Sequence, residues 1–371
     1  MFPFEDMKRL MFLMAAGILA VACGRKGGEG VVPVPAPESI RTDAFAPLVR
    51  SVELLPLETT EELLGDFRNL EMTRDSGSGW IVYDMANGAI HHYDAAGKFL
   101  GRIGNRGRGP QEFTDVFLVQ VRDGQVNVFS RSADEFLVYR EDGTFVRREP
   151  VGAQTGQGAL VVKEGLLAYT GYSWRGDKLL KLISPDGTQT EFIPKKNPNM
   201  LSFFGTPSLF EMDGQVFITP EWDDTVYRYK DGTVERWVSF DLGRASLDRS
   251  FWEEEDPATA MMTRLQTLLA FVPCYWENRQ LKIAGVMFNG ASDSFFCYGI
   301  VRHGMWSWFR YDRDKALSLV KCIDGDALVC LVDPDLLDTL DPALREKISN
   351  PEVLEGIPDN SNYLIAKVRL K

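Results

Sequence analysis

From Trp80 onward the chain alternates short apolar runs with polar turns, and the alternation recurs. Five segments share one order: a β run, a polar loop, a second β run, a glycine turn and a third β run. They start at Trp80 (WIVYDMANGAIHHYDAAGKFLGRIG), Val126, Leu166, Val216 (VFITPEWDDTVYRYKDGTVERWVSF) and Leu281. The first four turn glycines, Gly97, Gly143, Gly187 and Gly232, are spaced 46, 44 and 45 residues apart, and Gly304 follows 72 residues later. Asp142-Gly143, Asp186-Gly187 and Asp231-Gly232 are tight-turn pairs, since glycine takes the positive φ that such turns need. A further alternating run precedes each segment, at 67–72, 116–121, 159–162, 207–212 and 268–275. Four short strands per unit at a period near 45 predict the blades of a β-propeller.

A sixth unit begins with runs 317–322 and 327–332 around Asp324-Gly325-Asp326, and its third strand falls at 363–370. A fourth strand is then missing, while the run 48–57 is spare. Completing the last blade with that N-terminal strand closes the ring and removes the open edge. The expected fold class is therefore all-β, a six-bladed propeller over 46–371. Two short helical insertions interrupt it, at about 246–269 and 333–355. In the first, Met261, Leu265, Leu268 and Leu269 have helical spacing; the second is punctuated by proline. Both suit packing caps or partner surfaces.

The leader is of another kind. MKRLMFLMAAGILAVAC, residues 7–23, has a positive start at Lys8 and Arg9, an apolar stretch over 10–21 and small residues at Ala20 and Ala22. That is a signal peptide, 1–22, too short in its apolar run to span a bilayer comfortably. A signal peptide that runs directly into cysteine resembles the bacterial lipobox, with Leu19 one place earlier than usual and Ala20 at the leucine position. The resemblance implies cleavage before Cys23 and lipidation of that residue, making the membrane the first expected partner. The Gly/Pro-rich stretch 23–45 reads as a tether. The expected location is the cell envelope, lipid-anchored on the outer membrane, with the leaflet left open.

Charge narrows the partners. The formal net charge is -12, and removing 1–22 leaves it unchanged because Lys8 and Arg9 offset Glu5 and Asp6. An acidic body without a basic stripe repels phosphates, so nucleic acid is not an expected partner. Cys274, Cys297, Cys322 and Cys330 lack metal-like spacing, sit in apolar runs and read as buried thiols. With 3 histidines in the chain, and His91 and His92 on opposite faces of a strand, a histidine-rich metal site is excluded. No cofactor is expected, calcium being the one left open: Asp and Asn oxygens would suit it, yet no Asp-x-Asp-x-Asp loop announces it.

GRIGNRGRGPQEF, at 101–113, carries a G-x-G-P-x-E-aromatic motif on Gly107, Gly109, Pro110, Glu112 and Phe113. With the lipobox and the IVYD and DTVYRY strands, it makes the chain resemble the six-bladed β-propeller lipoproteins of Bacteroides-like bacteria, related in pattern to NHL-repeat propellers. The resemblance covers nearly the whole mature chain and implies the fold far more than a function.

In a propeller the inter-blade loops and the loops between second and third strands share one face, where ligands usually bind. That funnel would collect Arg106, Arg108 and Glu112. The guanidinium groups between glycines suit a carboxylate or an acidic sugar; alternatively, Glu112 pairs with one arginine and the glycines only shape a turn. Trp174 with Arg175, and Trp222 with Asp223, occupy equivalent loops of adjacent blades. Their rings would stack on a sugar while Arg175 and Asp223 bind its hydroxyls; alternatively, both rings plug the crevice between blades. Thr73-x-Asp75-x-Gly77-x-x-Trp80 fits an Asp-box turn but lies in the hairpin between first and second strands. No nucleophile elbow or P-loop is present. These residues favour a non-catalytic binding or scaffold protein that recognises a glycan, a peptide or an envelope partner. The alternative is a propeller hydrolase or lyase acting on a saccharide or lactone.

Overall fold

The computed structural model describes residues 30–61, 63–152, 158–172, 176–202, 208–290, 294–312, 315–358 and 361–371. Six small antiparallel sheets form the ring of a six-bladed β-propeller. Blade 1 holds Leu70–Arg74, Trp80–Asp84, Ala89–Tyr93 and Phe99–Arg102, and blade 2 holds Leu118–Arg122, Gln125–Ser130, Glu135–Arg140 and Phe145–Pro150. Blade 3 runs from Ala159–Val162 to Gln189–Pro194, blade 4 from Leu209–Met212 to Thr233–Asp241, and blade 5 from Leu269–Glu277 to Met305–Arg310.

Burial explains why the middle strands read as continuous apolar runs. Blades pack face against face, so a second or third strand is covered on both sides. All five residues of Trp80–Asp84 are buried, as are the last five of Gln125–Ser130. The outermost strand of a blade loses one neighbour, and Phe145–Pro150 is largely exposed. Core clusters accordingly span adjacent blades; Ile81, Tyr83, Phe113, Val119, Val128 and Tyr139 join blades 1 and 2. Each such side chain withdrawn from water stabilises the ring by roughly 1.5–3 kcal/mol.

Closure follows the expected route. Blade 6 has the order Val49–Pro56, Leu364–Leu370, Ala327–Val332 and Cys322–Asp324. The N-terminal strand pairs antiparallel with the last strand of the chain, with Val52 opposite Val368 and Leu54 opposite Ala366. Its outer edge is capped by the second insertion. The amide of Val52 donates to Lys347 O at 2.8 Å, Ser349 N donates to Val52 O at 2.8 Å, and the Asn350 side chain bonds both Leu54 N and Leu54 O. The insertion thus shields an edge that would otherwise offer free donors and acceptors.

The structure differs from the sequence reading in one place here. The tether expected over 23–45 is packed within its described part: Val31–Pro33 adds a fifth, parallel strand to blade 4, and Val32 and Ile40 enter the core between blades 4 and 5. A proline-rich extended segment suits an edge, where the missing N–H of Pro33 faces no partner. The second insertion is helical and proline-punctuated as expected, mostly as 3-10 turns: Pro334–Thr339 and Pro351–Gly356 flank a short α-helix at Pro342–Arg345. A proline opens each turn, and the next one arrives before an α-helix can propagate. The first insertion holds Arg249–Trp252 and Pro257–Arg264, capped by Asp248 and Asp256.

The four cysteines outside the leader are free; Cys274, Cys297 and Cys330 are buried and Cys322 is half-buried. Burial pushes the thiols of Cys297 and Cys330 up to about 12, which suits packing rather than reactivity.

Candidate functional site

The innermost strands of all six blades surround a central channel of about 880 Å³, within the range of small-molecule sites. Its polar groups stand on those strands in an otherwise apolar pattern. Blade 1 supplies Glu71 and Arg74, blade 2 supplies Gln120 and Arg122, blade 4 supplies Glu211, and Lys321 comes from the approach to blade 6. Asp75, Asp123 and Asp213, from turns between first and second strands, lie at one end.

Two polar braces cross this channel. Gln120 donates to Val161 O at 2.9 Å and to the Glu211 carboxylate, and its amide oxygen accepts from Val161 N at 2.9 Å. Arg122 reaches the same carboxylate at 3.3 Å and Val161 O at 3.2 Å. Gln120 and Arg122 of blade 2 therefore tie blade 3, through Val161, and blade 4, through Glu211. Opposite, Lys321 Nζ lies 3.8 Å from Glu71 Oε1. Burial raises both carboxyls above the ordinary range; Lys321 opposes this at Glu71, and Gln120 and Arg122 oppose it at Glu211. The rest of the wall is aromatic: Phe210 meets Trp276 edge-on at 5.2 Å, and Phe296 lies 4.9 Å from Tyr298. Paired charges on one side and ring faces on the other would suit a molecule that is polar at its edges and apolar on its faces.

Among the described lining residues there is none of Arg106, Arg108, Glu112, Trp222 and Asp223. Cys23, Trp174 and Arg175 lie outside the described residues. Arg106 is exposed and folds back on its own loop, with Nε 3.3 Å from Thr114 O. Arg108 is exposed. Glu112 does not pair with either arginine; its Oε2 accepts from Gly109 N at 2.8 Å and lies where a side chain on Gly107 would stand. The G-x-G-P-x-E-aromatic motif is thus a folded knot: a carboxylate held against glycine backbone, closed by Gly107 N to Phe113 O at 2.9 Å. Phe113 is fully buried against Tyr139.

Trp222 is 2% exposed with φ 64°, edge-on to Phe271 at 5.1 Å between blades 4 and 5. Its ring fills a crevice rather than offering a stacking face at the surface. Asp223 is buried too, accepting from Lys196 Nζ at 2.8 Å and from the amides of Asp224 and Thr225. Burial pushes its carboxyl up to about 6, against the pull of Lys196. The adjacent Glu221 accepts from Ser202 at 2.5 Å. Here two buried carboxylates hold the loop between the second and third strands of blade 4. The Asp-box aspartate behaves as a turn: Asp75 accepts from Gly77 N and Gly79 N.

Loop reasoning passed over the channel residues because they lie inside strands. A signal existed: Gln120 and Glu211 each stand third in the first strand of a unit (LVQVR, LFEM), the same polar position after two apolar residues.

The profile of the family described as "Domain of unknown function (DUF4934)" matches residues 32–321. The chain belongs to this family. The matched span of the DUF4934 protein covers the first five blades and the closing strand Val49–Pro56 of the sixth, and ends just before Cys322–Asp324. Among solved structures it is similar to an exported protein of Bacteroides fragilis, with a TM-score of 0.70, 16% identity, and coverage of 92% of this chain and 100% of that one. It is also similar to a member of the DUF4221 family from Bacteroides vulgatus, with a TM-score of 0.50, 10% identity, and coverage of 87% and 98%. At these identities the likeness concerns the fold. No curated protein sequence matches. Among the described residues, no group of three or more His, Cys, Asp or Glu is placed to hold a metal ion, and no helix is long and apolar enough to cross a membrane.

Proposed function

We propose that this DUF4934 protein is an exported, lipid-anchored envelope protein that binds a small polyhydroxylated ligand, a glycan fragment, in its central channel without catalysis. The observation that carries the reading is the channel wall. Donors and acceptors of the Gln120–Arg122–Glu211 brace face a space shared with the rings of Phe210 and Trp276. A sugar presents hydroxyls at its rim and C–H groups on its faces, matching that division. A channel of this size accepts a short oligosaccharide better than a folded partner. Export and lipidation are supported by the leader ending at Cys23, by the similar exported protein of B. fragilis, and by the likeness to lipoprotein propellers with NHL-like repeats.

Calorimetric titration with defined oligosaccharides of two to four sugars tests the binding reading. Saturable binding should weaken at least ten-fold in Trp276→Ala and in Glu211→Gln. Absence of binding across the panel, or binding that survives both substitutions, overturns it.

A hydrolase or lyase acting on a saccharide or lactone has one observation in its favour. Burial raises the Glu71 and Glu211 carboxyls, as a general acid requires. Each is already held by a cation or an amide, which suits recognition more than proton transfer. Release of product from a bound oligosaccharide over hours, lost in Glu211→Gln, would decide for the enzyme.

A further inference from the structure

We infer that the outer rim of blades 4 and 5 is a membrane-contact surface, which seats the ring against the lipid interface beside its anchor. The inference rests on the lipid-anchored reading above. Other outermost strands answer to water: Arg147 and Arg148 are exposed on that of blade 2, and Gln189, Thr190 and Glu191 on that of blade 3. Such side chains keep an open edge from apolar contact. The outermost strand of blade 5, Met305–Arg310 (MWSWFR), carries its one charge at its end. Met305, which opens that strand, is 69% exposed, and Val31, which opens the strand added to blade 4, is 68% exposed. Among the described residues these are the two most open of the large apolar side chains.

An aromatic wall joins the two strands. Phe240, opposite Val32 of the added strand, meets Trp306 edge-on at 5.4 Å and Trp308 at 6.1 Å, and those two indoles stack at 5.8 Å. Both are half-buried, so each keeps part of its ring open. Trp237, on the strand of Phe240, is half-buried as well and donates its N–H to Glu277 at 2.6 Å. The anchor names what meets this rim. Six residues lie between Cys23 and Gly30, a span of at most roughly 24 Å, so acyl chains on Cys23 bring a bilayer to the edge of blade 4. Indoles favour the lipid interface, where the ring body lies among acyl carbons and the N–H among headgroups. Met305 and Val31 add exposed apolar area. The net charge of -12 gives no attraction to anionic lipid, so the contact is apolar in origin and forms on zwitterionic lipid.

The test uses the full chain, purified from cell membranes and reconstituted into phosphatidylcholine vesicles whose acyl chains carry bromine, a contact quencher of indole emission. Flotation reads the anchor and quenching reads the rim. Wild type should float, with its tryptophan emission quenched. Trp306→Phe combined with Trp308→Phe should float equally and lose most of the quenching. Val31→Asp combined with Met305→Asp, at exposed positions, should float and lower the quenching at least two-fold. If the tryptophan variant does not fold, the aspartate variant decides. Protein that floats unquenched, or quenching unchanged in the folded variants, overturns the rim contact and leaves the anchor standing. Protein that does not float overturns the anchor and the rim contact with it. Unquenched protein that sediments as a dimer in non-ionic detergent, and as a monomer in the aspartate variant, overturns the inference by giving the rim to a second copy of the chain.

Discussion

The imidazole of His92 lies between two acceptors, with Nε2 3.0 Å from Asp75 Oδ2 and Nδ1 2.9 Å from the carbonyl of Glu141. The Glu141 side chain completes the contact by accepting from Ser76 N at 2.7 Å and Ser76 Oγ at 2.8 Å. One ring thus joins the first hairpin of blade 1 to the outer hairpin of blade 2. Replacing it by phenylalanine, His92→Phe, removes the hydrogen bonding of the ring to Asp75 and to the Glu141 carbonyl and should cost about 1–2 kcal/mol. His92→Gln should recover roughly half, by retaining one donor. Urea denaturation midpoints check both; equal stability of wild type and His92→Phe would show that the bridge contributes nothing.

Gly104 is the position in the 101–113 loop least able to change. Its φ is 62°, and a Cβ there would fall 2.6 Å from the Tyr139 ring and 2.9 Å from that of Phe113. Strain and overpacking add, so Gly104→Ala should destabilise by about 3 kcal/mol. A loss below about 1 kcal/mol would mean that the two rings yield more readily than a packed core normally does.

Arg106, Arg108 and Glu112 separate a structural loop from a binding loop. Glu112→Ala removes the acceptor for Gly109 N and should cost about 1–2 kcal/mol. Arg108→Ala should change stability by no more than about 0.5 kcal/mol. A glycan affinity lowered by Arg108→Ala while thermal unfolding is unmoved would return this loop to the binding surface.

Asp223 gives the protein a distinct response to acid. Its carboxyl is raised from the ordinary 3.8 to about 6 by burial. A carboxyl raised on folding favours the folded state while protonated, and that contribution fades as pH rises from about 4 through about 6. The Asp223→Asn variant keeps an acceptor but does not titrate, so its unfolding temperature should fall less over this window. Thermal scans at half-unit steps from pH 4 to 7 check this; parallel curves for the two proteins would refute it.

Cys23→Ser should release the protein from the membrane. Wild type labelled with an alkyne fatty acid should partition into detergent, and the variant should appear unlabelled in the soluble envelope fraction. Labelling that persists in the variant would remove the anchor from the proposal.

The fold was legible in the sequence because its signals are local and repeated. Asp-Gly turns at 142–143, 186–187 and 231–232 mark the outer hairpin of their blades, and the spare run at 48–57 matches the observed closing strand at Val49–Pro56. The channel was not legible in the same way. Gln120, Arg122 and Glu211 are brought together by the curvature of the ring, and no spacing along the chain records that Gln120 and Arg122 donate both to Val161 O and to the Glu211 carboxylate. Trp222 illustrates the opposite limit: a tryptophan in a polar loop reads equally as a stacking face or as a plug between blades, and only the positive φ of its backbone shows that the ring is carried inward.

The fifth strand on blade 4 fixes how the molecule can lie. Six residues lie between Cys23 and Gly30, and fully stretched the seven steps from Cys23 span at most roughly 24 Å from Gly30, next to the strand that begins at Val31. A lipid on Cys23 would hold the ring by the outer rim of blade 4, like a wheel moored at one point of its tyre. In a six-membered ring the opposite point is blade 1. The blade bearing Glu71 and the 101–113 knot would then be the part of the molecule turned furthest from the bilayer.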